Sequence, residues 1–458
     1  MIVDELLQRM PYEDGKEEKQ NMLLERMNQL TKYHYDNCDE YRYFIDSLCG
    51  GKTEYSDLSE LPFIPVKMFK KMELLSVSDD GIFKTMTSSG TTGQQVSKIF
   101  LDRQTANNQQ KVLTRIVSEY TGKSRMPMII LDCPSVLKNR NMFSARGAGI
   151  LGFSLFGAKK IYAFTDDMEL NLTELRDFID KYEGQTIFLF GFTYMIWQYF
   201  YRKLLDSGEY LNLEHGVLVH GGGWKKLVNE AVSKEEFKEG LKKVCGITSV
   251  HDYYGMVEQT GCIYMECECG HLHASVFSDV FIRNMKDFSV CGLGEAGAIQ
   301  VLSSLPESYP GHSILTEDMG RIIGEDDCPC GRKGRYFLVD GRVPHTMIRG
   351  CSDTFSEPAG QKDGGADRQE GSPDPAGKED AGRRGQEEHG RIQTEAWESF
   401  SEPDMHMLET LSGGLLRDPE TRLYPDAAAF GFWIRRAHLE QLRERWSEPR
   451  RGVGHVVA

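Results

Sequence analysis

Short, continuous apolar runs alternate along this chain with stretches where apolar residues recur every three or four positions. Met128-Ile129-Ile130-Leu131-Asp132, Thr186-Ile187-Phe188-Leu189-Phe190-Gly191 and Gly216-Val217-Leu218-Val219-His220-Gly221 are of the first kind, the pattern of strands buried on both faces. Residues 172–182, 194–205 and 225–244 read as helices between and after them. This alternation predicts an α/β fold with helices flanking the sheet. Gly221-Gly222-Gly223 then falls at the C-terminal end of a strand, where open α/β sheets place ligands. Residues 1–47 read as helical, with Met22, Leu23, Met27 and Leu30 at helical spacing, and Pro62-Phe63-Ile64-Pro65-Val66 reads as an extended connector. From Ala274 onward, shorter strands with glycine turns predict a β-rich subdomain that ends near Cys351. Residues 142–156 and 188–197 are apolar and aromatic. They suit the lining of an acyl pocket, although core packing is the commoner role for any one of them.

The pattern breaks after Glu357. Residues 358–394 are dominated by Gly, Asp, Glu, Arg, Gln and Pro, a composition that cannot bury a core and predicts disorder. A natural linker and a reading-frame change both fit it. Apolar content returns from Ala396, and Leu439, Leu442 and Trp446 fall on one helix face. The expected division is therefore a domain over 1–356, a linker or frame-altered segment over 357–395, a helical fragment over 396–447 and an unassigned tail over 448–458. The 458 residues are ample for more than one domain. A net charge of −15 argues against non-specific nucleic-acid binding. No apolar run approaches the roughly 20 residues needed to span a membrane. The 11 cysteines are an odd number in a chain whose start reads as a helix rather than a signal peptide, which points to a reducing cytoplasm.

Four segments carry candidate chemistry. Thr87-Ser88-Ser89-Gly90-Thr91-Thr92-Gly93 packs hydroxyls and glycines into a loop able to approach a polyphosphate. It is not a Walker A loop, and such a run is also ordinary surface-loop composition. Tyr253 and Tyr254 can stack on a base, and Glu258 can hold the Mg²⁺ that accompanies ATP; the plainer alternative is a core Tyr pair with Glu258 in solvent. Asp318, expected in a turn, can accept from ribose hydroxyls. Asp340-Gly341-Arg342 reads as a hairpin turn that is also a candidate hinge. Two C-x-C pairs, Cys267/Cys269 and Cys328/Cys330, have glycines after them and His271 and His273 close by. They suit a structural Zn²⁺, against the alternative of four free thiols in surface loops.

Taken in this order, the four segments resemble the adenylate-forming superfamily. Ser97-Lys98-Ile99-Phe100-Leu101-Asp102, His220-Gly221-Gly222-Gly223-Trp224 and Ile348-Arg349-Gly350-Cys351-Ser352-Asp353 narrow the resemblance to acyl-protein synthetases, with phenylacetate–CoA ligases as near relatives. It runs from about Met1 to Glu357. It implies a large N-terminal α/β domain with a β-rich subdomain, lacking most of the usual C-terminal lid domain and its catalytic lysine. It implies that Thr87–Gly93 holds phosphates, that Tyr254 lies near adenine, that Glu258 serves Mg²⁺, that Asp318 holds ribose and that Arg342 lies in the hinge. Cys351 becomes the residue that takes the acyl group from the adenylate, with Arg349 lowering its pKa. Related ligases keep Cys and His near the C-x-C pairs, which implies a structural role for these. The chain departs from the superfamily pattern at Gln94 and Gln95, where Pro and Lys are usual; Lys98 is the nearest substitute.

Residues 396–446 resemble the N-terminal helices of acyl-CoA reductases. The expected function is thus cytoplasmic, ATP- and Mg²⁺-dependent activation of a long-chain fatty acid as acyl-adenylate, with transfer to Cys351 for delivery to a reductase-type partner. The rivals are an acyl- or aryl-CoA ligase and a non-catalytic scaffold. The oligomeric state stays open.

Overall fold

The structure is a computed structural model that describes residues 2–88, 96–122, 125–137, 145–224 and 230–343. The elements below belong to the first of two units, Met1–Asn284 with Phe288–Thr354. The linker, the helical fragment and the tail expected after residue 356 lie outside the described residues.

The apolar runs form the parallel half of a twelve-stranded sheet. In chain order its strands are β1 (Ile64–Pro65), β4 (Met126–Leu131), β5 (Gly157–Tyr162), β6 (Ile187–Phe192), β7 (Gly216–Gly221), β8 (Ser249–Tyr254), β9 (Tyr264–Glu266), β10 (Leu272–His273), β11 (Ser278–Arg283), β12 (Gly297–Ser303), β13 (Ser313–Glu325) and β14 (Arg335–Arg342); β2 (Lys84–Thr87) and β3 (Lys98–Leu101) form a separate hairpin. The spatial order is β11-β12-β13-β14-β10-β9-β8-β7-β6-β4-β5, with β1 on β13. Strands β5, β4, β6, β7 and β8 are mutually parallel, and β8 turns antiparallel to β9. Every residue of β4 and β6 is buried, which is why these segments read as unbroken apolar runs.

Among the described residues, the helices are α1 (Ile2–Leu6), α2 (Lys16–Asn37), α3 (Asp39–Cys49), α4 (Met68–Lys71), α5 (Arg103–Thr121), α6 (Ala145–Phe153), α7 (Leu172–Lys181), α8 (Thr193–Met195), α9 (Arg202–Ser207) and α10 (Lys234–Cys245). Leu23, Met27 and Leu30 of α2, three of the four apolar residues noted in the sequence, pack with Phe281 of β11 and Leu302 of β12. The periodicity of that helix is therefore the imprint of the antiparallel half of the sheet. A second core gathers Tyr41 and Ile45 of α3, Met86 and Ile99 of the small hairpin, and Ile299, Ile314 and Phe337 of the sheet.

Four expectations change. The helix expected over 225–244 begins at Lys234: Ser233 is its cap, accepting the Glu236 N–H at 3.1 Å. The helix expected over 194–205 contains a π-helical stretch, Ile196–Tyr201, between α8 and α9. The β-rich region begins earlier than Ala274, at β9. Asp318 and Asp340-Gly341 do not sit in turns. They lie within β13 and β14, where Asp318 pairs with Arg342 and Met319 with Gly341, next to a register shift. The bulge explains the misreading: Gly341 has φ +136°, so a glycine that resembled a turn signal serves an irregular ladder.

Candidate active site

Parallel strands β7 and β8 end side by side, bringing Gly221 opposite Tyr253. Side chains alternate along a strand, so Tyr253 and Tyr254 diverge. Tyr253 packs against Gly221: a Cβ there would be 2.5 Å from its ring. The same ring packs 5.2 Å from Phe153 and 6.4 Å from Phe190. The two apolar stretches of the sequence thus meet at Tyr253. Gly222 takes φ +81°, and among the described residues no atom lies within 4 Å of where a Cβ on Gly223 would stand. The glycine turn therefore leaves an open floor at the ligand edge of the sheet.

Tyr254 points the other way. Its hydroxyl donates to Asp318 Oδ2 at 2.7 Å, while Arg342 Nε is 3.1 Å from Asp318 Oδ1. Arg342 also reaches Glu317 at 3.3 Å, and Lys67 Nζ is 2.9 Å from the other oxygen of Glu317. Three segments singled out separately in the sequence, around Tyr254, Asp318 and Arg342, are therefore one constellation. Gly255 follows Tyr254 directly and packs under Ile263.

Glu258 lies in a short turn, Val257–Gln259, and is 5% exposed, which removes the reading that placed it in solvent. Burial raises its carboxyl pKa, Ser97 and Lys70 oppose that, and Glu317 adds to it. Asp252, beside the tyrosines, is pushed up to about 7 by burial and then by Glu266. Glu266 in turn is gripped by Lys234 at 2.8 Å and Lys238 at 3.0 Å.

The hydroxyl-rich loop joins β2 to β3. Thr87 pairs with Lys98, and Ser88 and Ser97 exchange two bonds, Ser88 N–H to Ser97 O at 3.1 Å and Ser97 N–H to Ser88 Oγ at 2.8 Å. The loop is thus anchored at both ends of a hairpin. Its other members, Ser89, Gly90, Thr91, Thr92 and Gly93, lie outside the described residues, as does Cys351. Lys98 Nζ is 2.9 Å from Glu73, with both side chains exposed. Sequence reading missed Lys67. It lies in a connector without periodicity, and its only signal was the extended Pro62–Val66 run just before it.

Three of the four candidate cysteines converge, and of the two nearby histidines that could replace the fourth, His273 joins them. Cys267, Cys328, Cys330 and His273 place one ligand atom each within 4.8 Å of one another. Cys269 is exposed and outside this group, so His273 takes its corner. The reason is local: Gly270 N–H bonds to Cys267 O at 2.9 Å, a tight turn that puts Cys269 at its tip. His273 sits on β10 opposite Tyr336. Sγ of Cys267 and Cys328 are 3.9 Å apart, Cys330 Sγ is 3.4 Å from His273 Nε2, and His271 Nδ1 is 3.4 Å from Cys328 Sγ. A tetrahedral zinc with thiolate arms of about 2.3 Å has ligand–ligand edges of about 3.8 Å. The spacing therefore fits such an ion, with His273 presenting Nε2, the nitrogen that faces Cys330.

Comparison with known proteins accords with this geometry. The chain is 26% identical over 368 residues to the long-chain-fatty-acid–luciferin-component ligase of Vibrio harveyi, covering 76% of this chain and 93% of that protein. It is 24% identical over 363 residues to the same-named protein of Aliivibrio fischeri, covering 77% and 92%. Among solved structures it superposes on 2-hydroxyisobutyryl-CoA ligase in complex with 2-HIB-AMP with a TM-score of 0.56 at 13% identity, covering 73% of this chain and 70% of that one. An open form with 2-HIB-AMP and CoA gives a TM-score of 0.55 at 14% identity, covering 74% and 78%. At such identities the likeness shows the fold, that of an adenylate-forming ligase. The family model described as "Acyl-protein synthetase, LuxE" matches residues 1–359, and the chain belongs to the acyl-protein synthetase family.

Proposed function

We propose that this protein activates a long-chain fatty acid with ATP and then carries the acyl group as a thioester on Cys351. The observation that carries the reading is the convergence of Tyr254, Asp318 and Arg342 beside buried Glu258, at the edge where β7 and β8 end. Asp318, held by a phenol and a guanidinium, is an acceptor for ribose hydroxyls. The open turn at Gly222 and Gly223 offers the base a bed, and Thr87 to Gly93 supply donors for phosphate oxygens. Glu258 would hold Mg²⁺, which would neutralise charge on the departing pyrophosphate.

In the first half-reaction a carboxylate oxygen bonds to the α-phosphorus, and the bond to pyrophosphate breaks. In the second the Cys351 sulfur bonds to the acyl carbon, AMP leaves with the bond electrons, and the thiol proton is lost to solvent or a base. A reductase-type partner would then collect the acyl group. Zinc in the Cys267, Cys328, Cys330 and His273 site would be structural: four protein donors leave no open position.

The experiment is ATP–pyrophosphate exchange, with and without a fatty acid. Acid-dependent exchange is the expected result. CoA-dependent thioester formation indifferent to Cys351→Ser would favour an acyl-CoA ligase instead.

A further inference from the structure

The described residues hold a cation that neither the motifs nor the family pattern assigned. Strand β1 pairs in parallel with β13, Ile64 with Ile314 and Pro65 with Leu315, and Val66 N–H extends the ladder to Leu315 O at 2.9 Å. This pairing delivers Lys67 to β13 just where Glu317 and Asp318 stand. Its Nζ rests 2.9 Å from Glu317 Oε1, a carboxylate only 6% exposed, whereas the lysine side chain is 35% exposed. Glu317 already has Arg342 at 3.3 Å, so one buried carboxylate is met by two cations. One turn further on, Lys70 exerts its charge on Glu258. Lys67 thus stands on the carboxylate next in sequence to the one suited to ribose, three residues before the lysine whose charge acts on the carboxylate suited to Mg²⁺. The hydroxyl-rich loop offers Gln94 and Gln95 where a cation is usual, and Lys98 is drawn to Glu73 on the surface.

We infer that Lys67 is a phosphate-binding residue, exchanging its contact with Glu317 for the phosphates of bound ATP. The inference rests on the nucleotide site proposed above. Glu317 stores the ammonium in place while the site is empty, and Arg342 remains as its counter-ion when the lysine moves. A charge-assisted contact of this kind is worth about tenfold or more in affinity.

The test compares ATP with adenosine, which lacks the phosphates, on the full chain by ligand-induced thermal shift across a concentration series. Lys67→Gln is expected to weaken ATP at least tenfold and to leave adenosine within about twofold, and Lys67→Arg to restore most of the ATP affinity. Equal weakening of both ligands would show that Lys67 only positions Glu317 and Asp318, and would overturn the inference. So would unchanged ATP affinity, while leaving the proposed ligase function intact. A wild-type chain that shifts with neither ligand would overturn both.

Discussion

Tyr254 donates a 2.7 Å hydrogen bond to Asp318, joining the end of the parallel half of the sheet to a bulged strand of the antiparallel half. The bond fixes the distance between the surface on which a base can rest and the carboxylate that can hold its ribose. Removing it with Tyr254→Phe leaves the Asp318 carboxylate, among the described residues, the contact with Arg342. The expected cost is about 1–2 kcal/mol of stability, with weaker adenosine binding. Chemical denaturation and nucleotide titration measure the two effects.

Glu258→Gln isolates charge from shape. Burial raises the carboxyl pKa of Glu258, so the neutral amide should fold at least as stably as the wild type. Pyrophosphate exchange should nevertheless fall by about two orders of magnitude or more, the scale of losing one stabilising group at a developing charge. Thermal melting and exchange, read together, distinguish this from simple unfolding.

The cysteine–histidine cluster yields a metal prediction. Purified protein is expected to contain about one zinc per chain. Cys269→Ser should keep it, because Cys269 is exposed and outside the group, whereas Cys328→Ser should lose it and melt at a lower temperature. Elemental analysis reads the first outcome directly.

Acid should destabilise the fold through a buried histidine pair. His34 and His312 stack 5.1 Å apart, and burial pulls His34 down to about 3 and His312 well below its usual value. Both are neutral in the folded protein and take up protons once unfolded, near pH 6.5. Stability is therefore full above that pH and lost as pH falls toward 3. The slope is about 1.4 kcal/mol per pH unit for each histidine. Denaturation between pH 7 and 4.5 measures it, and His312→Asn should reduce the slope by about one proton.

Much of this was legible in the sequence, for physical reasons. Strands β4, β6 and β7 announced themselves because burial on both faces demands unbroken apolar runs, and Glu258 because a glycine and two tyrosines precede it. Asp318 was expected in a turn and lies in a strand: a bulge borrows the residues of a turn, and only the register with Arg342 tells them apart. Cys269 and His273 changed places because spacing along the chain does not show which residue a tight turn points outward. Lys67 was invisible. Its role comes from a two-residue parallel pairing between segments some 250 positions apart, and no local pattern encodes such a contact.

The most direct test of the central claim is intact-protein mass spectrometry after incubation with ATP, Mg²⁺ and a set of fatty acids. A hydroxylamine-labile acyl adduct on the wild-type chain, absent from Cys351→Ser, is the result expected. An adduct that persists in Cys351→Ser, or acyl-CoA as the only thioester once CoA is supplied, would contradict it.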